Sequence, residues 1–162
     1  MEVSSHALRL GRVDGVRFAA VCFTNLTEDH LDFHTDMNDY FDAKASLFMP
    51  ERAGRAVVCV DDAWGRDLVV LCDQRGFAVS TFGLNPSADV SADMITMIPG
   101  GSEVSVRRSN GQELSITVHL PGEFNVVNAL GALQCAFSVG VDLRDEAAGI
   151  TDCGGVPGRM ER

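Results

Sequence analysis

The sequence contains very little lysine: Lys44 is the only one among thirteen basic residues, and all the others are arginines. A site that needs only a positive charge can use either residue, and arginine often makes the better ion pair. Arginine stays protonated in proteins, whereas a buried lysine can lose its proton. A neutral lysine amine can react with carbon dioxide to give a carbamate, an anion with two oxygens that can bind metal. The single lysine therefore suggests chemistry that arginine cannot perform.

Positive charge is scarce overall, and the formal net charge at pH 7 is −10. This acidic balance argues against a nucleic-acid or anionic membrane surface, and it suits a protein that binds a divalent metal. The sequence also lacks an apolar run of membrane-spanning length and the pattern of a signal peptide, so we expect no membrane insertion. None of the five cysteines shows Cys-x-x-Cys spacing. We therefore expect reduced thiols and a cytoplasmic protein, with Cys22 and Cys59 as small core residues.

Apolar runs alternate with amphipathic segments, a pattern that predicts parallel strands connected by helices. The runs that predict buried strands are residues 16–24, 55–62 and 77–83. The segments that predict helices are residues 37–49, 63–75, 124–140 and 142–150. We expect Asp36 to cap the first of these helices, Gly76 to end the second, and small residues to occupy one face of the third. Residues 91–119 predict three further strands, the last two joined by an Asn110–Gly111 hairpin turn. The fold class is therefore α/β, with a mostly parallel sheet flanked by helices and a smaller antiparallel hairpin region.

The segment TEDHLDFH (27–34) concentrates acidic and histidine side chains directly after the first predicted strand. Ligand sites in open α/β sheets gather at the carboxyl ends of strands, and oxygen and imidazole donors there could hold a cation such as magnesium. Lys44 follows about two turns into the next predicted helix, so it could face the same cleft as His30. A solvated acidic loop with one packing histidine is the alternative, which composition alone leaves open.

Five stretches of the chain together resemble the central domain of the Mur ligases. They are MEVSSHAL (1–8), FTNLTEDHLDFH (23–34), YFDAKASLF (40–48), LPGEFNVVNALGAL (120–133) and VPGRME (156–161). The combination of the second and third stretches is highly specific, whereas residues 62–118 match only in character. The resemblance runs from the first residue to the last.

The resemblance implies an ATP-dependent ligase that forms an amide bond during peptidoglycan synthesis. In this family ATP phosphorylates the terminal carboxylate of a UDP-MurNAc-peptide, and the amine of the incoming amino acid attacks the resulting acyl phosphate. The substrates implied here are UDP-MurNAc-L-Ala-D-Glu, ATP and a diamino acid, either meso-diaminopimelate or L-lysine. Two magnesium ions offset the repulsion between phosphate and carboxylate.

The resemblance also implies which residues bind metal. Glu2 of MEVSSH and His30 of DHLD match magnesium ligands, and Lys44 matches a carbamylated lysine that positions the second magnesium. Glu2 could otherwise be an ordinary surface acid, and Lys44 an ion-pair partner of the nearby carboxylates.

Four further residues match substrate contacts of the family. Ser4 and Arg12 match residues that hold the UDP-MurNAc-dipeptide, Asn128 matches a residue at the ATP adenine, and Arg159 matches an ATP-contacting arginine at the interdomain hinge. Ser4 could instead only cap a helix, and Asn128 could only hydrogen-bond locally within its helix. Arg12 could be a solvated arginine at a helix end, and Arg159 a cation of the linker. The sequence departs from many relatives at Leu10, where they have glutamine.

The phosphate-binding pattern G-x-x-x-x-G-K-[ST] is absent from the sequence. The resemblance implies that this loop, with its strand, lies upstream, and that a domain selecting the amino acid lies downstream. We therefore expect a partial central domain over residues 1–155 and the start of a linker over 156–162. We also expect the chain alone to be inactive and poorly stable, because a missing central strand exposes backbone and apolar surface.

Two alternatives to this interpretation stay open from the sequence. One is a related ligase of the same superfamily, such as folylpolyglutamate synthetase or cyanophycin synthetase. The other is a non-catalytic module that binds metal or nucleotide.

Overall fold

The structure is a computed structural model that describes residues 1–153 of the chain. The predicted ATP contact Arg159 lies outside the described residues. The helices are α1 (Ser5–Arg9), α2 (Met37–Ala45), α3 (Ala63–Gln74), α4 (Glu123–Ser138) and α5 (Leu143–Thr151). The strands are β1 (Val21–Phe23), β2 (Ala56–Cys59), β3 (Val79–Gly83), β4 (Val90–Ile98), β5 (Gly101–Arg108) and β6 (Glu113–Val118).

The strands form one six-stranded sheet in the order β1-β2-β3-β4-β5-β6. The pairings β1–β2, β2–β3 and β3–β4 are parallel, and β4–β5 and β5–β6 are antiparallel. The predicted α/β class is thus confirmed. The antiparallel strands β4, β5 and β6 belong to the same sheet and are its longest strands. The sequence predicted them as a smaller, separate hairpin region.

Strand alternation divides the apolar side chains of β2 between two cores. Ala56 and Val58 pack with α1, α2 and α3 on one face, while Val57 and Cys59 pack with α4 on the other. Successive strand residues point to opposite faces, so an unbroken apolar run is what a strand covered on both sides requires. The result is three layers, with helices on both faces of the sheet.

Local signals in the sequence account for several element ends. Asp36 caps α2, where its side chain accepts a hydrogen bond of 2.9 Å from the Asp39 N–H. Gly76 follows α3 at a φ of 62°, a left-handed conformation that glycine adopts without a steric penalty. Gly111 adopts the same left-handed conformation, with a φ of 83°, in the predicted hairpin turn between β5 and β6. These parts of the prediction are confirmed.

The small residues of α4 allow a close approach to the sheet. A Cβ atom placed on Gly131 would lie 2.7 Å from the ring of Phe82 on β3. This explains the run of small side chains on one face of the helix that the sequence shows.

The first strand and the helix after it are shorter than predicted. Residues 16–24 contribute only Val21–Phe23 to the sheet, with an isolated bridge between Phe18 and Ala53. The helix predicted over residues 37–49 ends at Ala45. The prediction of Cys22 as a core residue is wrong, because its side chain is exposed at the strand while Cys59 is buried. The pattern failed because β1 pairs only with β2 in the described chain, which leaves its other edge open.

No helix within residues 1–153 combines the length and the apolar character needed to cross a bilayer.

Candidate metal and nucleotide site

A groove of about 790 Å³ runs along the open edge of β1, and we call it the edge groove. Its walls are formed by residues 1–5 and 18–22, by the loop that follows β1, by one side of α2, and by the end of α4 at residues 135–139. Four of the predicted site residues line this groove: Glu2, Ser4, His30 and Lys44. The structure thus brings together the predicted metal-binding residues, which are 42 positions apart at the extremes.

Lys44 lies on the last turn of α2, and its side chain is only partly accessible to solvent. Its ammonium nitrogen is 5.2 Å from the centre of the Tyr40 ring, one helical turn earlier. Burial lowers the pKa of Lys44, although the charges of Glu2 and Asp29 act in the opposite direction. A lower pKa increases the fraction of neutral amine, which is the form that reacts with carbon dioxide.

His30 has an uncommon backbone conformation, with a φ of 55°. Such a conformation in a residue other than glycine costs on the order of 1 kcal/mol or more and concentrates at functional sites. The His30 N–H donates a hydrogen bond of 2.8 Å to Asp29, which fixes the turn locally. The imidazole is half-buried and packs edge-on against Tyr40, with ring centroids 5.8 Å apart. The loop therefore presents this ring to the edge groove at a fixed angle.

Glu2 and Ser4 lie on the exposed segment that leads into α1. Ser4 is the N-cap of α1, since its hydroxyl accepts a hydrogen bond of 3.2 Å from the Ala7 N–H. The capping role that the sequence left open is thus present. Because a hydroxyl can donate while it accepts, capping leaves the Ser4 proton free for a ligand in the groove.

The donor set of the edge groove fits magnesium. Within residues 1–153, no three histidine, cysteine, aspartate or glutamate side chains lie close enough together to hold a metal ion by themselves. Glu2 offers carboxylate oxygens and His30 an imidazole nitrogen, and a carbamate on Lys44 would add two further oxygens. Magnesium takes few protein ligands and completes its shell with water and substrate phosphate, so an incomplete protein set agrees with its chemistry.

Asn128 lies elsewhere, in an apolar pocket of about 610 Å³ between the end of β6 and the first turns of α4. His119, Leu120 and Phe124 line the same pocket, and Phe124 is 60% exposed. The combination of a flat apolar lining and an exposed amide suits a planar heterocyclic base. The sequence did not single out His119, although it directly precedes the LPGEFN stretch of the family motif.

The last predicted substrate contact within residues 1–153 lies on the surface. Arg12 follows α1 and is exposed, and it does not line either cavity. Leu10 is 57% exposed beside it, so the position at which many relatives have glutamine does face solvent.

Comparison with known proteins identifies the family of the chain. A family model described as the Mur ligase middle domain matches residues 1–136. A UDP-N-acetylmuramoyl-L-alanyl-D-glutamate–2,6-diaminopimelate ligase from Gloeobacter violaceus is 48% identical over 163 residues, which are 100% of this chain and 32% of that protein. The chain therefore spans about a third of the length of this relative.

Solved structures give the same result. A structure of a UDP-N-acetylmuramoyl-L-alanyl-D-glutamate–2,6-diaminopimelate ligase superposes with a TM-score of 0.88 and 31% identity, over 99% of this chain and 33% of that one. Folylpolyglutamate synthetase from Lactobacillus casei reaches 0.70 at 16% identity, over 89% of this chain and 35% of that one. The second likeness shows a shared fold alone. By sequence and fold, the chain belongs to the Mur ligase family, where it corresponds to the middle domain.

Proposed function

We propose that this chain is part of an ATP-dependent ligase that joins a diamino acid to UDP-MurNAc-L-Ala-D-Glu in peptidoglycan synthesis. The observation that supports this best is the convergence of Glu2, His30 and a partly buried Lys44 in the edge groove. The names of the relatives favour meso-diaminopimelate over L-lysine as the amino acid. The reaction would take place in the cytoplasm, where ATP and UDP-linked precursors are found.

Glu2 and His30 would hold magnesium at the end of the groove that faces Lys44. Bound magnesium would neutralise the negative charge of the phosphate groups and the substrate carboxylate. The Glu2 carboxylate is a hard oxygen donor, and the strained His30 backbone holds its ring without a further change on binding. Ser4 and Arg12, on either side of α1, would bind the UDP-MurNAc-dipeptide.

Lys44 would act as a carbamate. Attack of its neutral amine on carbon dioxide forms one N–C bond, opens one C=O π bond and releases one N–H proton, so the neutral amine becomes an anion. The partly buried position lowers its pKa and so favours the reactive form. The carbamate would then place two oxygens in the edge groove as ligands for magnesium.

The apolar pocket at α4 would take the adenine of ATP. Asn128 can donate and accept at once, as the edge of adenine requires, while Phe124 and Leu120 offer flat or apolar contact. Arg159, outside the described residues, would contact ATP at the hinge to the next domain.

The proposed function is tested in a full-length ligase that contains this chain as its middle domain. Purified protein is mixed with ATP, magnesium, UDP-MurNAc-L-Ala-D-Glu and either meso-diaminopimelate or L-lysine. We expect ADP release that depends on both other substrates and a new amide product with meso-diaminopimelate. ADP release with a folate and glutamate instead would support the superfamily alternative, and binding of nucleotide without any product would support the non-catalytic module.

Replacement of Asn128 by alanine is expected to raise the KM for ATP about tenfold, because one or two hydrogen bonds to the base are lost. The matched control is Gln74→Ala, which removes an exposed amide from α3, a helix that does not line this pocket. Steady-state kinetics with varied ATP measures both. An unchanged KM in the Asn128 variant would contradict adenine binding in this pocket.

A further inference from the structure

A chain of two hydrogen bonds, one buried and one partly buried, connects α1 to α2 beside the edge groove. Nε2 of His34 is 2.8 Å from the Ser5 hydroxyl on α1, and Nδ1 is 3.2 Å from the Asp39 carboxylate on α2. The His34 side chain is only 1% exposed. Because a carboxylate can only accept, Nδ1 donates to Asp39, and in the neutral ring Nε2 then accepts from Ser5.

This Ser–His–Asp order is that of a nucleophilic triad, but the location of Ser5 excludes that role. Ser5 is 1% exposed, so its hydroxyl cannot reach a substrate. A buried polar group whose bonds are all made instead restricts the relative position of the elements that hold it. The three residues therefore have a structural relation to the site rather than a chemical one.

Asp39 receives a second link from α1. Arg9, one turn after Ser5, pairs with the same carboxylate and also donates a hydrogen bond of 3.1 Å to the Asp39 carbonyl. Residues four apart lie on one face of a helix, so α1 is attached to Asp39 at two points along its length. The N–H of Thr35 completes the set with a hydrogen bond of 3.2 Å to the carboxylate. Two attachment points fix both the distance and the rotation of α1 relative to α2.

His34 also supports the residue that contacts Lys44. Its ring stacks on Tyr40 at a centroid distance of 5.0 Å and an angle of 19°. Tyr40 is buried, and its ring lies 5.2 Å from the Lys44 ammonium nitrogen. A displacement of His34 would therefore shift the Tyr40 ring, and with it the position of the Lys44 side chain.

We propose that His34 is a positioning residue, which sets the distance between the Glu2 and Ser4 segment on one side of the edge groove and Lys44 on the other. The inference rests on the proposed function, since it assigns to His34 the alignment of that same site. Glu2 and Ser4 precede α1, and Lys44 lies on the last turn of α2. These helices are joined through Ser5, His34 and Asp39, beside the direct pair of Arg9 and Asp39. The imidazole is required because it offers one donor and one acceptor on opposite sides of a flat ring.

The test uses the full-length ligase with His34→Phe, a variant that keeps the ring and its stacking on Tyr40 but removes both hydrogen bonds. We expect kcat to fall on the order of 10²-fold, the effect that a misplacement of about 1 Å has on a reaction. The KM for ATP should stay close to that of the unsubstituted protein, because the adenine pocket at α4 does not include α1 or α2. His34→Gln can keep the bond to Ser5, and it should recover part of the lost kcat.

Ser5→Ala keeps His34 and removes one of its two bonds, so we expect a fall in kcat of roughly tenfold. The double variant Ser5→Ala/His34→Phe should be no slower than His34→Phe alone, since both changes remove the same link. The control Ser102→Ala removes a comparably buried serine on β5, whose hydroxyl lies 3.3 Å from the Met97 sulfur and which does not line the edge groove. Its kcat should be unchanged.

The outcomes separate the inference from the proposed function. If the unsubstituted protein makes no amide product, the proposed function fails and this inference with it. If that protein is active and His34→Phe has the same kcat, the ring only fills space and the positioning role is overturned. Should His34→Phe not fold, as judged by circular dichroism, Ser5→Ala decides: an unchanged kcat overturns the inference, and a loss of kcat at unchanged KM for ATP supports it.

Discussion

Lys44→Arg in the full-length ligase is expected to lose activity on the order of 10²-fold or more. The substitution keeps a long cationic side chain but removes the amine that reacts with carbon dioxide. In place of an anion that holds magnesium, the edge groove would contain a permanent positive charge next to the predicted ligands. Loss of a single group that stabilises charge in the transition state typically costs about 10²–10³ in kcat.

Two companion variants make this result specific. Lys44→Ala should be equally impaired, but short-chain carboxylic acids added to the assay should restore part of its activity by supplying oxygens in the vacated space. Arg55→Lys, an exposed exchange between the same two residue types, should have no effect. Full activity of Lys44→Arg, measured as amide product per unit time, would rule out the carbamate.

Glu146→Leu is expected to reduce the stability of the domain by about 3–5 kcal/mol. Glu146 on α5 pairs with Arg108 at the end of β5, and their side chains are 0% and 2% exposed. The guanidinium also lies over the Phe137 ring of α4 at 4.1 Å. Removal of the carboxylate leaves a buried charge without its partner, which is the costly way to break such a pair.

The double variant Arg108→Met/Glu146→Leu should regain most or all of this stability. Burial raises the pKa of Glu146 even though Arg108 acts to lower it, so desolvation outweighs the attraction between the two charges. The guanidinium nitrogens Nε and Nη1 and the carboxylate oxygen Oε1 also have no hydrogen-bond partner in the described chain. A pair of this kind can be replaced by apolar side chains without loss, and sometimes with a gain.

Hydrogen exchange at the slowest amides of β5 measures both effects in the full-length protein, because these amides open only when the domain unfolds. Asp145→Leu, an exposed acid on the same helix, is the control and should cost less than about 1 kcal/mol. A double variant as unstable as Glu146→Leu would contradict the account of the pair as a desolvation effect.

Local chemistry in the sequence predicted much of the fold. The acidic cap at Asp36, the turn at Asn110–Gly111 and the apolar run of β2 depend on neighbours within a few positions, and the structure confirms each of them. The sequence pointed to His30 and Lys44 as candidate metal-binding residues, because motif and spacing placed them on a loop and on the helix that follows it. Their common location in the edge groove agrees with that prediction.

The remaining features depend on contacts between distant positions, for which the sequence has no local signal. The bond between Ser5 and His34 spans 29 positions, and the pair of Arg108 and Glu146 spans 38. The family motif includes His34, but the sequence could not show that its ring meets Ser5 and Asp39. The apolar run around Cys22 predicted a buried side chain for the same reason: a local pattern does not show which strands lie beside β1, and β1 pairs only with β2 in the described chain.

The carbamate on Lys44 is the central claim, and carbon-13 NMR of the full-length ligase tests it most directly. The protein is equilibrated with ¹³C-bicarbonate at neutral or mildly alkaline pH and kept from acid, since carbamates decompose on acidification. We predict a carbamate carbon signal in the unsubstituted protein that is absent from Lys44→Arg. Identical spectra from the two proteins, with the unsubstituted one active under the same conditions, would contradict the claim.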